Sequence, residues 1–123
     1  DCKVKVSFGK GRISNVPWVA FLKGNNEIRS GIYPVILYYK KIETIVIAFG
    51  IGTYFEAIKE WEIEKKYKSK TIKNQLSKNY DGIIPYGKCY IYSFYEVNDK
   101  LDLKMINDDI DSVIEIYKGN NAK

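Results

Sequence analysis

Apolar and polar residues alternate from the start of the chain. Cys2, Val4, Val6 and Phe8 fall on one side and Lys3, Lys5 and Ser7 on the other, the period of a half-buried strand. After a Gly9-Lys10-Gly11-Arg12 turn, Asn15-Val16-Pro17-Trp18 leads into a short apolar run at residues 19–22, a second strand. Pro17 suits a strand's first position or its edge. Gly24-Asn25-Asn26 marks the next turn. Residues 31–40 are the most apolar and aromatic part of the chain, with large side chains toward both faces. They predict a central strand. Pro34 has no N–H to donate, so the ladder is interrupted there, and Tyr33 before it is held extended. Such a strand is an ordinary core strand or the wall of a pocket. The turn at Lys41-Ile42-Glu43 is short enough for a hairpin, which pairs residues 44–49 with it antiparallel. No charge occurs between Thr44 and Phe55, so this strand is buried on both faces.

The second half changes period. Residues 54–68 fit a helix through Phe55, Ile58 and Trp61 and a strand through Trp61, Ile63 and Tyr67, and read as a helical or irregular connector. Ser69 is placed to cap a helix through about residue 79, with Ile72, Leu76 and Tyr80 on its apolar side. Asp81-Gly82 turns into a loop, Ile83-Ile84-Pro85-Tyr86-Gly87, in which Tyr86 is presented on a constrained backbone. Residues 88–97 form an aromatic strand, and Asn98-Asp99 turns out of it. Ile106, Ile110, Val113, Ile114 and Tyr117 then recur at helical spacing, with Gly119 as the stop. Asp108, Asp109 and Asp111 are expected early in this helix, where its dipole favours negative charge. The order predicts an α+β domain. It has a mainly antiparallel sheet of about five strands, a helix before the last strand and a C-terminal helix.

Composition narrows the chemistry. A chain of 123 residues fits one domain spanning residues 1–123, and the lack of an initiator methionine makes it an expected excised piece of something longer. No uncharged apolar run reaches the ~18 residues of a membrane span. The formal charge of +5 favours an acidic partner, nucleic acid first, or else reflects a lysine-rich solvated surface. Cys2 and Cys89 could pair, but have no metal-ligand spacing and are read as reduced and cytoplasmic. With no histidine, the commonest general base and metal ligand are missing. No nucleophile triad or Walker motif appears, and Gly9-Lys10-Gly11 lacks the Gly-Lys-Ser/Thr ending of a P-loop. Eleven tyrosines and two tryptophans remain. Such rings suit stacking on bases and suit a packed core equally. Trp18, at a loop-to-strand junction, is either a core anchor or a stacking surface.

Several blocks then carry a resemblance. Val6-Ser7-Phe8-Gly9-Lys10-Gly11, Val16-Pro17-Trp18-Val19-Ala20-Phe21-Leu22, Gly31-Ile32-Tyr33-Pro34-Val35-Ile36-Leu37-Tyr38-Tyr39-Lys40 and Ala48-Phe49-Gly50-Ile51 occur in order, followed by Pro85-Tyr86-Gly87. Together they closely resemble the N-terminal DNA-binding domain of the McrB family, the GTPase subunits of McrBC modification-dependent restriction systems. The resemblance implies a module that recognises 5-methylcytosine after a purine in duplex DNA, by flipping the base into a pocket. Trp18, Leu37 and Tyr86 match the pocket-wall positions, with Tyr33 close by. A flipped base has two π-faces and an added methyl, so aromatic and aliphatic walls suit it. The Gly9-Lys10-Gly11-Arg12 loop resembles the one that enters the DNA, which makes Lys10, Arg12, Ser14 and Asn15 the expected backbone and intercalating-loop contacts. Where some members carry a ring between the glycines, this chain has Lys10, so Lys10 contacts phosphate or Ile13 is the wedge. No catalytic residue, metal or cofactor is implied in this domain. GTP hydrolysis and cleavage would belong to the rest of McrB and its McrC partner, in the cytoplasm and away from membranes. Two other readings stay open: a reader of another mark such as N6-methyladenine, or of unmodified sequence, with the same fold; and a protein-interaction domain whose rings are all core.

Overall fold

Among the described residues, five strands cross one antiparallel sheet in chain order: β1 (Cys2–Ser7), β2 (Trp18–Lys23), β3 (Ile32–Tyr39), β4 (Thr44–Ile51) and β5 (Tyr90–Glu96). A short helix, α1 (Ile72–Leu76), precedes the last strand, and a long one, α2 (Leu103–Gly119), ends the fold. The computed structural model describes residues 2–7, 16–23, 32–51, 66–67 and 69–119. The architecture is the α+β arrangement that the periodicity predicts.

The central strand keeps its alternation across Pro34. Tyr33, Val35, Leu37 and Tyr39 all join one apolar cluster, while Ile32 joins the other. The physical reason lies in which neighbour the proline faces. The Tyr38 N–H donates to the Pro17 carbonyl at 3.0 Å, so the even-numbered residues of β3 turn their nitrogens toward β2. Pairing of β2 with β3 runs from Trp18 opposite Leu37 only as far as Ala20 opposite Val35. Pro34 therefore presents its donor-less nitrogen where β2 pairing has ended. The ladder to β4 runs past it unbroken, from Tyr39 opposite Thr44 to Ile32 opposite Ile51. The expected interruption is real but affects one neighbour only.

The sheet separates two apolar layers. On one face α1 and the following loop bring Ile72, Leu76, Ile84 and Cys89 against Leu22, Leu37, Val46 and Ala48. On the other, α2 lays Ile106 and Val113 over Ile32, Ile47 and Phe49. β4 is buried along nearly its whole length, as its uncharged run predicts. A bulge leaves Tyr92 as an extra residue, since Ile47 faces Ser93 and Ala48 faces Ile91. The Tyr92 ring uses that freedom to pack edge-on against Phe49 and beside Tyr67.

Four local expectations are corrected. Thr71, not Ser69, caps α1: its Oγ1 accepts from the Asn74 N–H at 3.1 Å. The α-helical part ends at Leu76, with a 3-10 turn carrying it to Asn79. The last helix starts at Leu103, and Asp102 caps it by accepting from the N–H groups of Lys104 and Met105. Asp108, Asp109 and Asp111 consequently lie beyond the first turn. Lys88 and Cys89 belong to the loop rather than to β5, because α1 claims this backbone: the Ile72 N–H donates to the Cys89 carbonyl at 2.9 Å. Finally, Val4 and Val6 are 58% and 53% exposed. β1 is the outermost strand on its side, beyond the strands that α2 covers. Residues 54–65 of the ambiguous connector lie outside the described residues; Lys66 and Tyr67 are helical.

Candidate functional site

A cleft of about 800 Å³ opens between the start of β3, α1 and the loop that carries Tyr86. Its geometry starts from a glycine. Gly50 lies directly opposite Tyr33 on β4, and the Tyr33 ring lies across it: a Cβ at position 50 would sit 2.5 Å from Cε1 and 2.7 Å from Cζ. The ring is only 8% exposed, yet it lines the cleft. Burial pushes its phenol well above the usual tyrosine range, helped by the neighbouring Cys89 and Tyr86 groups. The hydroxyl therefore stays a neutral donor and acceptor at ordinary pH. Cys89, a buried free thiol at the same cleft, is pushed up as well, chiefly by burial.

Tyr86 lines the same cleft and is 39% exposed. Its φ is 59°, the left-handed region that costs a tyrosine roughly 1 kcal/mol or more. The loop is tied down around it. The buried Tyr39 hydroxyl donates to the Pro85 carbonyl at 2.6 Å. The Lys73 N–H donates to the Gly87 carbonyl at 2.9 Å, and the Cys89 N–H to the Tyr86 carbonyl at 3.1 Å. Gly87 is closely packed too, since a Cβ there would come within 3.1 Å of Lys73 Cβ and Ile84 Cγ2.

The rim is polar and cationic, with Lys73, Asn74 and Lys88. The first N–H groups of α1 are all used internally: Ile72 on Cys89, Lys73 on Gly87 and Asn74 on the Thr71 hydroxyl. Attraction for an anion here thus rests on the Lys73 and Lys88 ammonium groups rather than on the helix end. The arrangement offers flat apolar walls, buried neutral hydroxyl and thiol groups, and positive charge at the mouth.

Of the residues singled out in the sequence, Tyr33 and Tyr86 meet in this cleft. Trp18, Leu37 and Tyr33 share one face of the sheet, because Trp18 pairs with Leu37 and the β3 alternation is intact. Leu37 is 1% exposed, inside the apolar cluster, and Trp18 packs half-buried against it. Neither lines the cleft. Trp18 instead borders a groove of about 330 Å³, whose Val6, Val19, Ile36 and Tyr38 belong to the opposite sheet face. Lys10, Arg12, Ser14 and Asn15 lie outside the described residues. A strand drawn over residues 44–49 stops short of Gly50, which β4 in fact includes, and sequence reading also missed Lys73, Asn74 and Lys88 as cleft residues. A glycine inside an apolar strand was a usable signal, because it marks close approach of another group. Lys73 sits among the seven lysines of residues 59–78, a run that reads as a solvated face or a polyanion contact without singling out one residue, and Lys88 sits beside an aromatic strand.

The chain matches the family model of the MrcB-like, N-terminal domain over residues 1–121. It is also 36% identical over 120 residues to the Type IV methyl-directed restriction enzyme EcoKMcrB subunit of Escherichia coli strain K12. That alignment takes in 96% of this chain and 26% of the relative, so the chain spans about a quarter of that curated protein's length.

Proposed function

The chain belongs to the MrcB-like N-terminal domain family, and on that premise we propose that it reads methylated cytosine in duplex DNA for a restriction complex. The observation that carries the reading is the cleft: two tyrosines, Tyr33 and Tyr86, converge on about 800 Å³ of space with Lys73 and Lys88 at its mouth. That volume lies in the range of pockets that enclose a small planar ligand. In this reading the modified base leaves the duplex and enters between the two rings. Leu37, buried on the same sheet face, and Trp18, packed against its cluster, support the site from within the core without touching the base. Lys73 and Lys88 neutralise flanking phosphates, while Lys10, Arg12, Ser14 and Asn15 hold the backbone and the gap left in the stack. The preferred target is 5-methylcytosine after a purine.

The relative's methyl-directed restriction activity supports the same target. The domain binds and does not cut, and it needs no cofactor. GTP hydrolysis and cleavage are assigned to the remainder of a McrB-type protein and a McrC-type partner in the cytoplasm. Among the described residues, no helix is long and apolar enough to cross a membrane.

Titration of two duplexes that differ only by the cytosine 5-methyl group tests the reading. One enclosed methyl contributes about 1 kcal/mol, so the methylated duplex binds roughly fivefold tighter. A fluorescent base analogue beside the target brightens as the stack opens. Tyr86→Ala abolishes the preference while the domain stays folded. Equal affinity for both duplexes overturns methyl reading, and preference for an N6-methyladenine duplex reassigns the mark.

A further inference from the structure

We infer that Gly50 is a positioning residue: by lacking a side chain it sets the depth of the Tyr33 ring, and so the size of the cleft. The inference rests on the base-binding reading for its consequence in DNA recognition, but its structural half stands alone.

Gly50 has no backbone reason to be glycine. It pairs in register with Tyr33 inside β4, and Gly82 is the only glycine with positive φ among the described residues. A glycine in a buried strand weakens that strand, since it loses more chain entropy on folding and packs nothing. What it provides is space. An added Cβ would meet Tyr33 Cε1 at 2.5 Å, Cζ at 2.7 Å and the hydroxyl oxygen at 2.9 Å, all closer than Cβ atoms tolerate. Directly paired residues of an antiparallel ladder point to the same face. That face is the one holding the cleft, because Tyr33 lines it. On the strand side the ring is held within a closely packed cluster. A methyl at position 50 therefore displaces the ring outward, into the space proposed for the base.

The consequence differs from that of a general core defect. The phosphate contacts proposed above fall to Lys73 and Lys88, which line the cleft, and do not involve Gly50. Narrowing the cleft costs the stacked base, not the backbone contacts. Gly50→Ala therefore lowers affinity for the methylated duplex and leaves the salt dependence unchanged. Removing the ring removes the conflict, so Gly50→Ala is nearly silent when Tyr33 is already alanine.

The test is a double-mutant cycle of Gly50→Ala with Tyr33→Ala, read by thermal unfolding and by titration with the paired duplexes over a series of salt concentrations. Gly50→Ala alone is expected to lower the midpoint of unfolding and to weaken methylated-duplex binding about tenfold, with an unchanged salt slope. In the Tyr33→Ala background its further effect on unfolding falls to near zero. Equal destabilisation by Gly50→Ala in both backgrounds overturns the inference, whatever the DNA result. A strong unfolding coupling with full retention of methylated-duplex binding keeps the packing of Tyr33 on Gly50 and overturns Gly50's place in recognition. Failure of the unsubstituted domain to prefer the methylated duplex overturns the base-binding reading, and the unfolding cycle still decides the structural half.

Discussion

At the scale of single residues the loop depends on Tyr39. Its ring is fully buried at the end of β3 and stands edge-on to Tyr80, with centroids 6.1 Å apart. Its hydroxyl is the side-chain tether to the Pro85 carbonyl, one residue before the left-handed Tyr86. Tyr39→Phe keeps the ring and deletes that donor, leaving a partly buried carbonyl short of a partner. The expected cost is about 1–2 kcal/mol in chemical denaturation. Weaker binding of the methylated duplex accompanies it, because Tyr86 relaxes toward ordinary backbone angles. Unchanged affinity would separate the tether from the site. Tyr86 itself was legible in the sequence, since Pro-Tyr-Gly announces a presented ring. The tether was not: it joins positions 46 apart, and no local period encodes such a bond. The same limit hid Tyr33 against Gly50, a cross-strand contact visible only once register is known.

At the scale of elements, strands were easier to read than helix starts. β3 and β4 follow from bulk, branching and a short turn, and every odd residue of β3 falls on the expected face. The helices begin elsewhere than their strongest polar signals suggest, because several residues are eligible caps. Ser69 and Thr71 both precede α1, and Asn98, Asp99 and Asp102 all precede α2. Tertiary bonds decide: Lys70 and Thr71 are drawn into the sheet, the former by the Ile91 N–H and the latter by a bridge to Tyr90. The two caps make a matched experiment. Thr71→Ala and Asp102→Ala each remove an N-cap acceptor, and each should cost about 1 kcal/mol in unfolding measurements. Only Thr71 lies at the cleft, where α1 supplies the wall and Lys73. Thr71→Ala therefore also weakens DNA binding, whereas Asp102→Ala does not. Equal loss of binding from both would make the effect one of general stability.

At the scale of the whole molecule, the sheet sets the proposed recognition face opposite the face that α2 covers with Ile106 and Val113, although Tyr117 of α2 joins the cleft-side cluster, and tyrosines are built into both. Tyr33 and Tyr39 lie in the cluster on the cleft side, and burial raises both phenols well above their usual range. Tyr95 lies on the α2 side, where its hydroxyl donates to the Asp109 carboxylate. Desolvation first, then that bond and the carboxylate charge, push it up to about 12. All three groups hold their protons more tightly folded than unfolded, where phenols ionise near pH 10. Their contribution to stability is fully present below about pH 10 and is lost as the pH rises through the folded values, because only the unfolded chain releases protons in that interval. With no histidine in the chain, no imidazole adds a transition near neutrality. Buried Cys89, also pushed up, starts the decline where an unfolded thiol ionises, so thermal midpoints should begin to fall near pH ~8.5 and fall steeply above about pH 10, with tyrosinate absorbance rising at the steeper step. Tyr39→Phe, less stable at neutral pH, should show a shallower alkaline fall because one of the three groups is gone. A midpoint that stays level to about pH 12 would contradict the buried, neutral phenols on which both the Pro85 tether and the floor of the cleft are argued.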